Sequence, residues 1–192
     1  MNNTYYILRH GETPYQAEEK NIVYPWPEDT PILLTEKGEK EVKKTAQQLK
    51  DKKIDLIYSS DANRTRRTAE IVNQELGVEI IFDPRLRDID AGIYKGDSLD
   101  KYKEFVSSLE DKLSKRPPQG ESWNDLRERM IGFLKDVDKR YRDKTILIVS
   151  HKGPLWMLEI SVRGLKNEEL LELKEKGLGT GQFRKLEIIN AP

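Results

Sequence analysis

Residues 5–13, YYILRHGET, are the stretch that decides the fold. Their apolar run predicts a β-strand that ends abruptly at Arg9 and His10, and Gly11 lets the chain turn there. In an open α/β sheet, ligands bind in the crevice outside the carboxyl ends of the strands, so this histidine is a candidate functional residue. A histidine that merely closes a strand is an equally good interpretation of this stretch alone, and the rest of the chain has to decide.

Predicted strands and helices alternate along the chain. Apolar runs between turn signals predict strands at 5–9, 54–58, 78–82, 145–149 and around 183–189. Helical periodicity and capping signals predict helices at 35–51, from Ser59, Ser60 and Asp61 as cap residues to Gly77, at 99–113, 122–141 and 153–164, and a short helix from Asn167. The alternation predicts an α/β three-layer sandwich with a mostly parallel central sheet and helices on both faces.

We expect residues 1–192 to form a single domain. Two segments, 14–34, which has no clear period, and 83–120, which is irregular over 83–98 and contains the helix predicted at 99–113, are expected to contribute a cap over the site, because long loops in compact domains usually serve a site or move.

The composition excludes several classes of function. Acidic and basic residues balance at 34 each, so no overall field draws the chain to nucleic acid or to an anionic membrane surface. The absence of cysteine excludes disulfides, thiolate zinc sites and a cysteine nucleophile. The segment before Arg9 is too short and too polar for a signal peptide or a membrane span, so we expect a cytoplasmic protein.

The sequence contains two histidines, and each follows an apolar strand directly: YYILR precedes His10 and TILIVS precedes His151. Two separate strand ends should therefore bring both imidazoles to one crevice, which favours a joint catalytic or ligand role. A metal site is less well supported, because two histidines without a close partner at ligand spacing hold a metal poorly, although Asp88 and Asp90 could contribute oxygens. We expect no metal.

Arginines near the histidines favour an anion. Arg9 stands beside His10, and three more arginines, Arg64, Arg66 and Arg67, begin the helix that follows the second strand. Guanidinium groups bind phosphate through paired hydrogen bonds, and helix N-termini add oriented N–H donors. Periodicity does not show which of the three helical arginines faces the site, and at least one is expected to be solvated.

In chain order, the sequence contains Leu8 to Thr13 (LRHGET), Ser59-Ser60 with Arg64 and Thr68-Ala69, then Leu86, Asp88, Gly92 and Gly96, then Gly120-Glu121-Ser122, and finally Ser150-His151 with Gly153. This succession resembles the histidine phosphatase superfamily, the phosphoglycerate mutase-like phosphatases and mutases. The resemblance implies that His10 is a nucleophile that forms a phosphohistidine and that Arg9, Arg64 and His151 hold the phosphoryl group. It further implies Thr13 and Gln16 as phosphate contacts, Asp88 as the proton donor, and no cofactor.

Three positions depart from the family pattern. The proton donor is often Glu in this branch, so Asp90 or Glu12 could share the task with Asp88. Gln16 stands where many members have Asn, and it could still donate an amide hydrogen bond. Lys152 replaces a common Gly after the second histidine, where it either adds positive charge near the substrate or points to solvent.

The resemblance implies a metal-independent phosphatase that hydrolyses a small phosphomonoester. The alternatives are a phosphoglycerate mutase-type phosphoryl transferase and a non-catalytic phospholigand-binding protein. A glycolytic-type mutase should carry a basic insertion after the arginine motif, whereas here residues 92–96 lead directly into 97–99. Trp26, Tyr94 and Trp123 could form an apolar lip. We expect a small phosphorylated substrate, no nucleic acid or membrane partner, and either a monomer or a homodimer.

Overall fold

The computed structural model describes residues 1–164 and 177–190. Five strands form one sheet: β1 Thr4–Arg9, β2 Leu56–Ser59, β3 Glu79–Phe82, β4 Thr145–Ser150 and β5 Phe183–Lys185. The helices are α1 Pro14–Ala17, α2 Glu36–Leu49, α3 Asn63–Leu76, α4 Leu99–Phe105, α5 Leu109–Ser114, α6 Trp123–Arg140 and α7 Lys152–Arg163. Three short 3₁₀ turns complete the regular structure at 50–52, 84–86 and 92–94.

The sheet has the strand order β3-β2-β4-β1-β5. The first four strands run parallel, and β5 pairs antiparallel with β1. In the β1/β4 pair Arg9 lies opposite Ser150, so His10 and His151, the next residues of the two strands, leave the sheet at the same edge. The predicted mostly parallel α/β sandwich is thus confirmed.

Each of the four parallel strands carries apolar side chains on both faces, as expected for a sheet covered by helices on both sides. In β4, Ile146 and Ile148 pack into a core under α6 and α7, whereas Leu147 and Val149 pack into a second core under α2 and α3. These two cores pack against both faces of the sheet and fix the positions of the strand ends. They therefore also fix the positions of the two histidines that follow these strands.

The region predicted as one helix over 99–113 is two helices. Residues 106–108 break it, because Ser108 caps a new helix by accepting the Asp111 backbone N–H at 3.0 Å. Serine side chains compete with helix continuation in this way. As a result, the segment forms two short helices, α4 and α5, which lie at the edge of the candidate active site.

The predicted cap of α3 is also corrected. Ala62 is the N-cap residue and makes no side-chain capping bond. The three predicted cap residues are engaged elsewhere: Ser59 bonds a carbonyl, Ser60 lies next to His151, and Asp61 pairs with Arg87.

Two further boundaries differ from the predictions. Residues 14–17 of the predicted loop form the short helix α1. The last strand ends at Lys185, because the backbone of Ile189 and Asn190 turns away to bond Val162 at the end of α7. The helix predicted from Asn167 lies outside the described residues.

Candidate active site

His10 follows β1 and is 2% exposed. Its Nδ1 lies 2.8 Å from the Gly11 carbonyl oxygen, which can only accept, so Nδ1 carries the proton and Nε2 keeps its lone pair. Burial and the positive charges of Arg64 and Arg9 hold the pKa of His10 well below its ordinary value. The site therefore holds a neutral, oriented imidazole, which is the form that can act as a nucleophile.

His151 follows β4, and its ring centroid lies 5.4 Å from that of His10. Its Nε2 is 3.0 Å from the Ser60 hydroxyl, and its Nδ1 faces Asp88 Oδ2 at 3.9 Å. Burial and the charge of Arg64 likewise keep the pKa of His151 well below its usual range. The two strand ends bring both imidazoles together, as the sequence predicted.

Of the three helical arginines, Arg64 is the one at the site. It is 3% exposed, lines the cavity, and stacks its guanidinium 3.9 Å above the ring of Tyr24. Its Nη1 donates to Glu28 Oε1 at 2.8 Å. Arg66 lies on Phe82, and Arg67 pairs with Glu39 on a more exposed surface.

Arg9 approaches the site from the end of β1. Its Nη1 donates to the Leu178 carbonyl at 3.1 Å, and burial lowers its pKa. Among the described residues, Arg9 Nε, Arg64 Nε and His151 Nδ1 are buried without a hydrogen-bond partner. Five other buried atoms of the described residues, among them Trp156 Nε1 of the same cavity, also have no hydrogen-bond partner. At this site the Nε–H groups of Arg9 and Arg64 are two donors that suit an anion.

Asp88 lies on the cavity beside His151, and its side chain is 31% exposed. Its enclosed position raises its pKa, although the charge of Arg64 and a hydrogen bond from the Ile89 backbone N–H act in the opposite direction. A carboxyl with a raised pKa can hold a proton that it later donates.

The two alternative acids are differently placed. Asp90 lines the cavity but forms an ion pair with Lys95 at 3.0 Å. Glu12 accepts from Lys37 at 2.7 Å and from Thr35 at 2.9 Å, and these hydrogen bonds lower its pKa. Glu12, like His10 and Arg9, is not among the residues that line the cavity, so its ion pair with Lys37 is what argues against a role as the acid.

Thr13 and Gln16 belong to a network around Tyr24. The Thr13 hydroxyl caps α1 and lies 2.7 Å from the Tyr24 hydroxyl, which also accepts from the Gln16 amide at 2.7 Å. Gln16 lines the cavity, whereas Thr13 is fully buried behind it. Their contacts with phosphate stay predictions. Lys152, the first residue of α7, lines the cavity and is exposed.

Sequence reasoning missed Tyr24 and Glu28 and assigned Ser60 to a helix cap. Tyr24 and Glu28 lie in the proline-containing segment 14–34, where no periodicity indicates which side chains turn inward. Of the three aromatic residues predicted as a lip, Trp26 and Trp123 line the cavity, whereas Tyr94 packs against Tyr102 and Phe105.

The cavity has a volume of about 980 Å³. Residues from both predicted cap segments, 14–34 and 83–120, line it together with Arg64 and His151. Over 1–164 and 177–190, no three His, Asp or Glu side chains are grouped so that they could hold a metal ion. No helix in this part of the chain is both long and apolar enough to cross a membrane.

Comparison with known proteins gives a consistent result. The family described as the histidine phosphatase superfamily, branch 1, matches residues 5–187. The probable phosphoglycerate mutase GpmB of Cronobacter sakazakii is 39% identical over 165 residues, which are 83% of this chain and 74% of that protein. The protein of the same name from Escherichia coli O1:K1 is 36% identical over the same shares.

Solved structures agree on the fold. A mycobacterial glucosyl-3-phosphoglycerate phosphatase superposes with a TM-score of 0.79 at 21% identity, covering 96% of this chain and 90% of that one. The α-ribazole phosphatase of Shigella flexneri gives 0.79 at 21% identity over 98% and 92%. Bacillus stearothermophilus YhfR gives 0.74 at 28% identity over 88% and 83%.

Proposed function

Because the chain belongs to branch 1 of the histidine phosphatase superfamily and is an enzyme that acts on phosphoesters, we propose that it hydrolyses small-molecule phosphomonoesters through a phosphohistidine on His10. The observation that carries the proposal is the pair of neutral imidazoles with ring centroids 5.4 Å apart beside a buried arginine. The buried Nε–H donors of Arg9 and Arg64 support an anionic substrate.

In the first step, His10 Nε2 attacks phosphorus while the bond from phosphorus to the ester oxygen breaks. Asp88 transfers its proton to the departing oxygen, so the alcohol leaves neutral. Arg9 and Arg64 offset charge on the equatorial oxygens, and His151 lies where it can contact the same group.

In the second step, water attacks the phosphohistidine and Asp88, now a carboxylate, takes the proton from that water. The phosphorus–nitrogen bond breaks and inorganic phosphate leaves. Asp88 can act first as the acid and then as the base because its pKa is raised above that of an ordinary aspartate, which leaves both the protonated and the ionised carboxyl accessible.

A phosphoglycerate mutase activity is the second candidate, and the name of the relatives from Cronobacter sakazakii and Escherichia coli favours it. It would require the phosphohistidine to be loaded from a bisphosphorylated primer and returned to a bound monophosphate. Incubation of the enzyme with 3-phosphoglycerate, with and without 2,3-bisphosphoglycerate, separates the two: primer-dependent 2-phosphoglycerate supports the mutase, and primer-independent phosphate release supports the phosphatase.

The test of the nucleophile is hydrolysis of 4-nitrophenyl phosphate in a chelator by the parent enzyme and by His10→Ala. We expect the substitution to abolish turnover and the acid-labile phosphate trapped on the parent protein. Activity that needs added metal, or that survives in the variant, would overturn the phosphohistidine mechanism. Absence of turnover in the folded parent would instead favour a non-catalytic phospholigand-binding protein.

The test of the proton donor is the pH profile of Asp88→Asn. His10 must be deprotonated, and its pKa lies well below about 6.5, whereas Asp88 must be protonated, with its pKa raised above about 3.9. The kcat/KM of the parent should therefore fall as the pH rises through the pKa of Asp88, and the variant should lose this decline.

The leaving group provides the matching control. Asp88→Asn should lower kcat/KM, which reports the first step, about 10²–10⁴-fold for an alkyl phosphate and far less for 4-nitrophenyl phosphate, whose leaving group needs no proton. Asp90→Asn and Glu12→Gln should show no such difference between the two substrates. The same leaving-group dependence in either control would assign the acid to that residue.

A further inference from the structure

We propose that the cavity next to His151 and Asp88 binds the leaving group of the substrate, and that this leaving group is an alcohol with an extended apolar or aromatic body and no second phosphate. The inference rests on the proposed phosphatase activity and adds the substrate class to it. It is carried by the size, the walls and the charge pairing of the cavity.

The cavity is far larger than a phosphoryl group requires. Its volume of about 980 Å³ lies at the upper end of the range of roughly 300–1,000 Å³ found for pockets that enclose drug-sized ligands. Arg64, Asp88 and His151 account for one part of its lining. The remaining lining comes mostly from the two cap segments, so most of the volume is left for the alcohol.

Two tryptophans lie beside the point where the alcohol leaves. A Cβ placed on Gly153 would lie 3.3 Å from Asp88 Oδ1 and 3.2 Å from Trp123 Cη2, so the proton donor and this indole flank the same glycine. The Trp156 ring lies edge-on to Trp123 at 5.4 Å. Atoms attached to the departing oxygen would therefore meet an aromatic surface.

The wall continues along α4 and α5, where apolar side chains are interspersed with the polar Lys103, Ser107, Ser108 and Lys112. Leu99, Val106 and Leu109 line the cavity, as does Tyr102, whose hydroxyl is already 3.2 Å from the Trp123 indole nitrogen. Burial of apolar surface is favourable in proportion to its area, so this wall favours a leaving group with an apolar body.

The basic side chains of the cavity are engaged within the protein. Lys95 pairs with Asp90 at 3.0 Å, and Lys103 pairs with Asp100 at 3.1 Å. Arg87 pairs with Asp61 and covers the Trp26 ring at 4.3 Å. Lys112 lies 4.0 Å above the Trp123 ring, and both it and Lys152 have further interactions. The paired carboxylates reduce the net positive charge that this part of the cavity offers to a second phosphate.

The experiment measures kcat/KM for unbranched alkyl phosphates from ethyl to hexyl. Their alkoxide leaving groups have similar basicity, so the chemical step is held nearly constant and the series reports contact with the chain. We expect kcat/KM to rise about fourfold per methylene, or roughly 250-fold over the four methylenes from ethyl to hexyl. We also expect hexyl phosphate to exceed 2,3-bisphosphoglycerate as a substrate.

Matched variants locate the contact. Leu109→Ser should reduce the hexyl-to-ethyl ratio of kcat/KM by about tenfold, while Leu113→Ser, on the same helix but packed against the core, should preserve it. Val106→Thr, which keeps the volume of the side chain, repeats the test with little risk to folding. Equal loss of the ratio in the wall variants and in Leu113→Ser would overturn the proposed wall.

The outcomes separate the two proposals. If kcat/KM did not change from ethyl to hexyl phosphate while hydrolysis of 4-nitrophenyl phosphate still depended on His10, the leaving-group inference would be overturned and the phosphatase proposal would stand. A bisphosphate preferred over hexyl phosphate would overturn it in the same way. Failure to hydrolyse any monoester would overturn the phosphatase proposal, and the inference with it.

Discussion

At the scale of single residues, Arg64 and Glu28 form a buried ion pair at the site. Their side chains are 3% and 2% exposed, and the Glu28 carboxylate also accepts from Asn63 at 2.7 Å and from the Ile32 backbone at 3.0 Å. Glu28 therefore supplies a fixed negative charge to the same guanidinium that we expect to bind phosphate.

Glu28→Gln should lower stability and increase the response to an anion. Removal of one partner from a buried ion pair leaves an uncompensated charge and costs about 3 kcal/mol, which corresponds to a Tm lower by roughly 6–12 °C. Orthovanadate should raise the Tm of the variant more than that of the parent, because the bound anion replaces the missing counter-charge of Arg64. Thermal denaturation with and without vanadate measures both effects.

Glu39→Gln is the matched control for this prediction. Glu39 of α2 pairs with Arg67 of α3, the helix that also carries Arg64, but the two side chains are about one third exposed, and exposed pairs contribute at most about 1 kcal/mol. Its Tm and its vanadate response should stay close to those of the parent. Equal vanadate shifts in Glu28→Gln and the parent would show that Glu28 does not influence the anion site.

The sequence predicted the site residues that follow regular strands, and it missed those that lie in irregular segments. His10 and His151 follow apolar strands, so their meeting at one sheet edge could be predicted from parallel pairing. The choice of Arg64 among the helical arginines required the structure, because all three lie within one turn of α3. Glu28 and Tyr24 lie in an irregular segment whose path depends on tertiary contacts.

At the scale of elements, α2 supports the segment that follows the nucleophile. Thr35, the N-cap of α2, donates its backbone N–H to the Glu12 carbonyl at 2.9 Å, and Gly38 lies directly against the same residue. A Cβ on Gly38 would lie 2.3 Å from the Glu12 carbonyl oxygen and 2.7 Å from its nitrogen. The close approach explains why this helical position is a glycine.

Gly38→Ala should displace residues 11–13 and with them the imidazole of His10. We expect a stability loss of about 1–3 kcal/mol from overpacking and a kcat/KM lower by at least about tenfold from the misplaced nucleophile. Gly132→Ala in α6 is the control, because a Cβ there meets nothing within 4 Å. That variant should gain about 0.5–1 kcal/mol and keep its activity.

Both variants are compared by thermal denaturation and by steady-state kinetics with 4-nitrophenyl phosphate. Unchanged kinetics in Gly38→Ala would mean that α2 can move without moving His10.

The elements themselves were predicted with uneven success for a physical reason. Long periodic segments such as α2, α3 and α6 were found close to their observed bounds because their apolar faces repeat over several turns. The break between α4 and α5 was missed, since the apolar residues on either side keep helical spacing and only the serine at 108 marks the interruption. The caps of α3 were misjudged because Ser60 and Asp61 have partners far away in the sequence.

At the scale of the whole molecule, the well-packed elements carry the candidate catalytic residues, and the less well-packed elements border the cavity. β4 lies in the middle of the sheet between β2 and β1, and five of its six residues are buried. By contrast, α4 has one buried residue, Tyr102, and α5 has none. The chemistry is thus held by the best-packed strands, and the proposed alcohol site is bounded by the least-packed helices.

Hydrogen exchange followed by mass spectrometry should reveal this division. Amides of β4 should exchange slowest, close to the rate set by global unfolding, because every neighbouring strand and both cores must be lost to expose them. Amides of α4 and α5 should exchange fastest among the helices longer than four residues, since few apolar contacts oppose their local opening. The control is α6, which borders the same cavity through Trp123 but buries seven residues and should exchange slowly. Protection of α4 and α5 equal to that of α6 would show that these two helices are as rigid as the well-packed parts of the structure. An extended alcohol would then have to enter through a preformed opening, because local opening of α4 and α5 would be too rare to admit it.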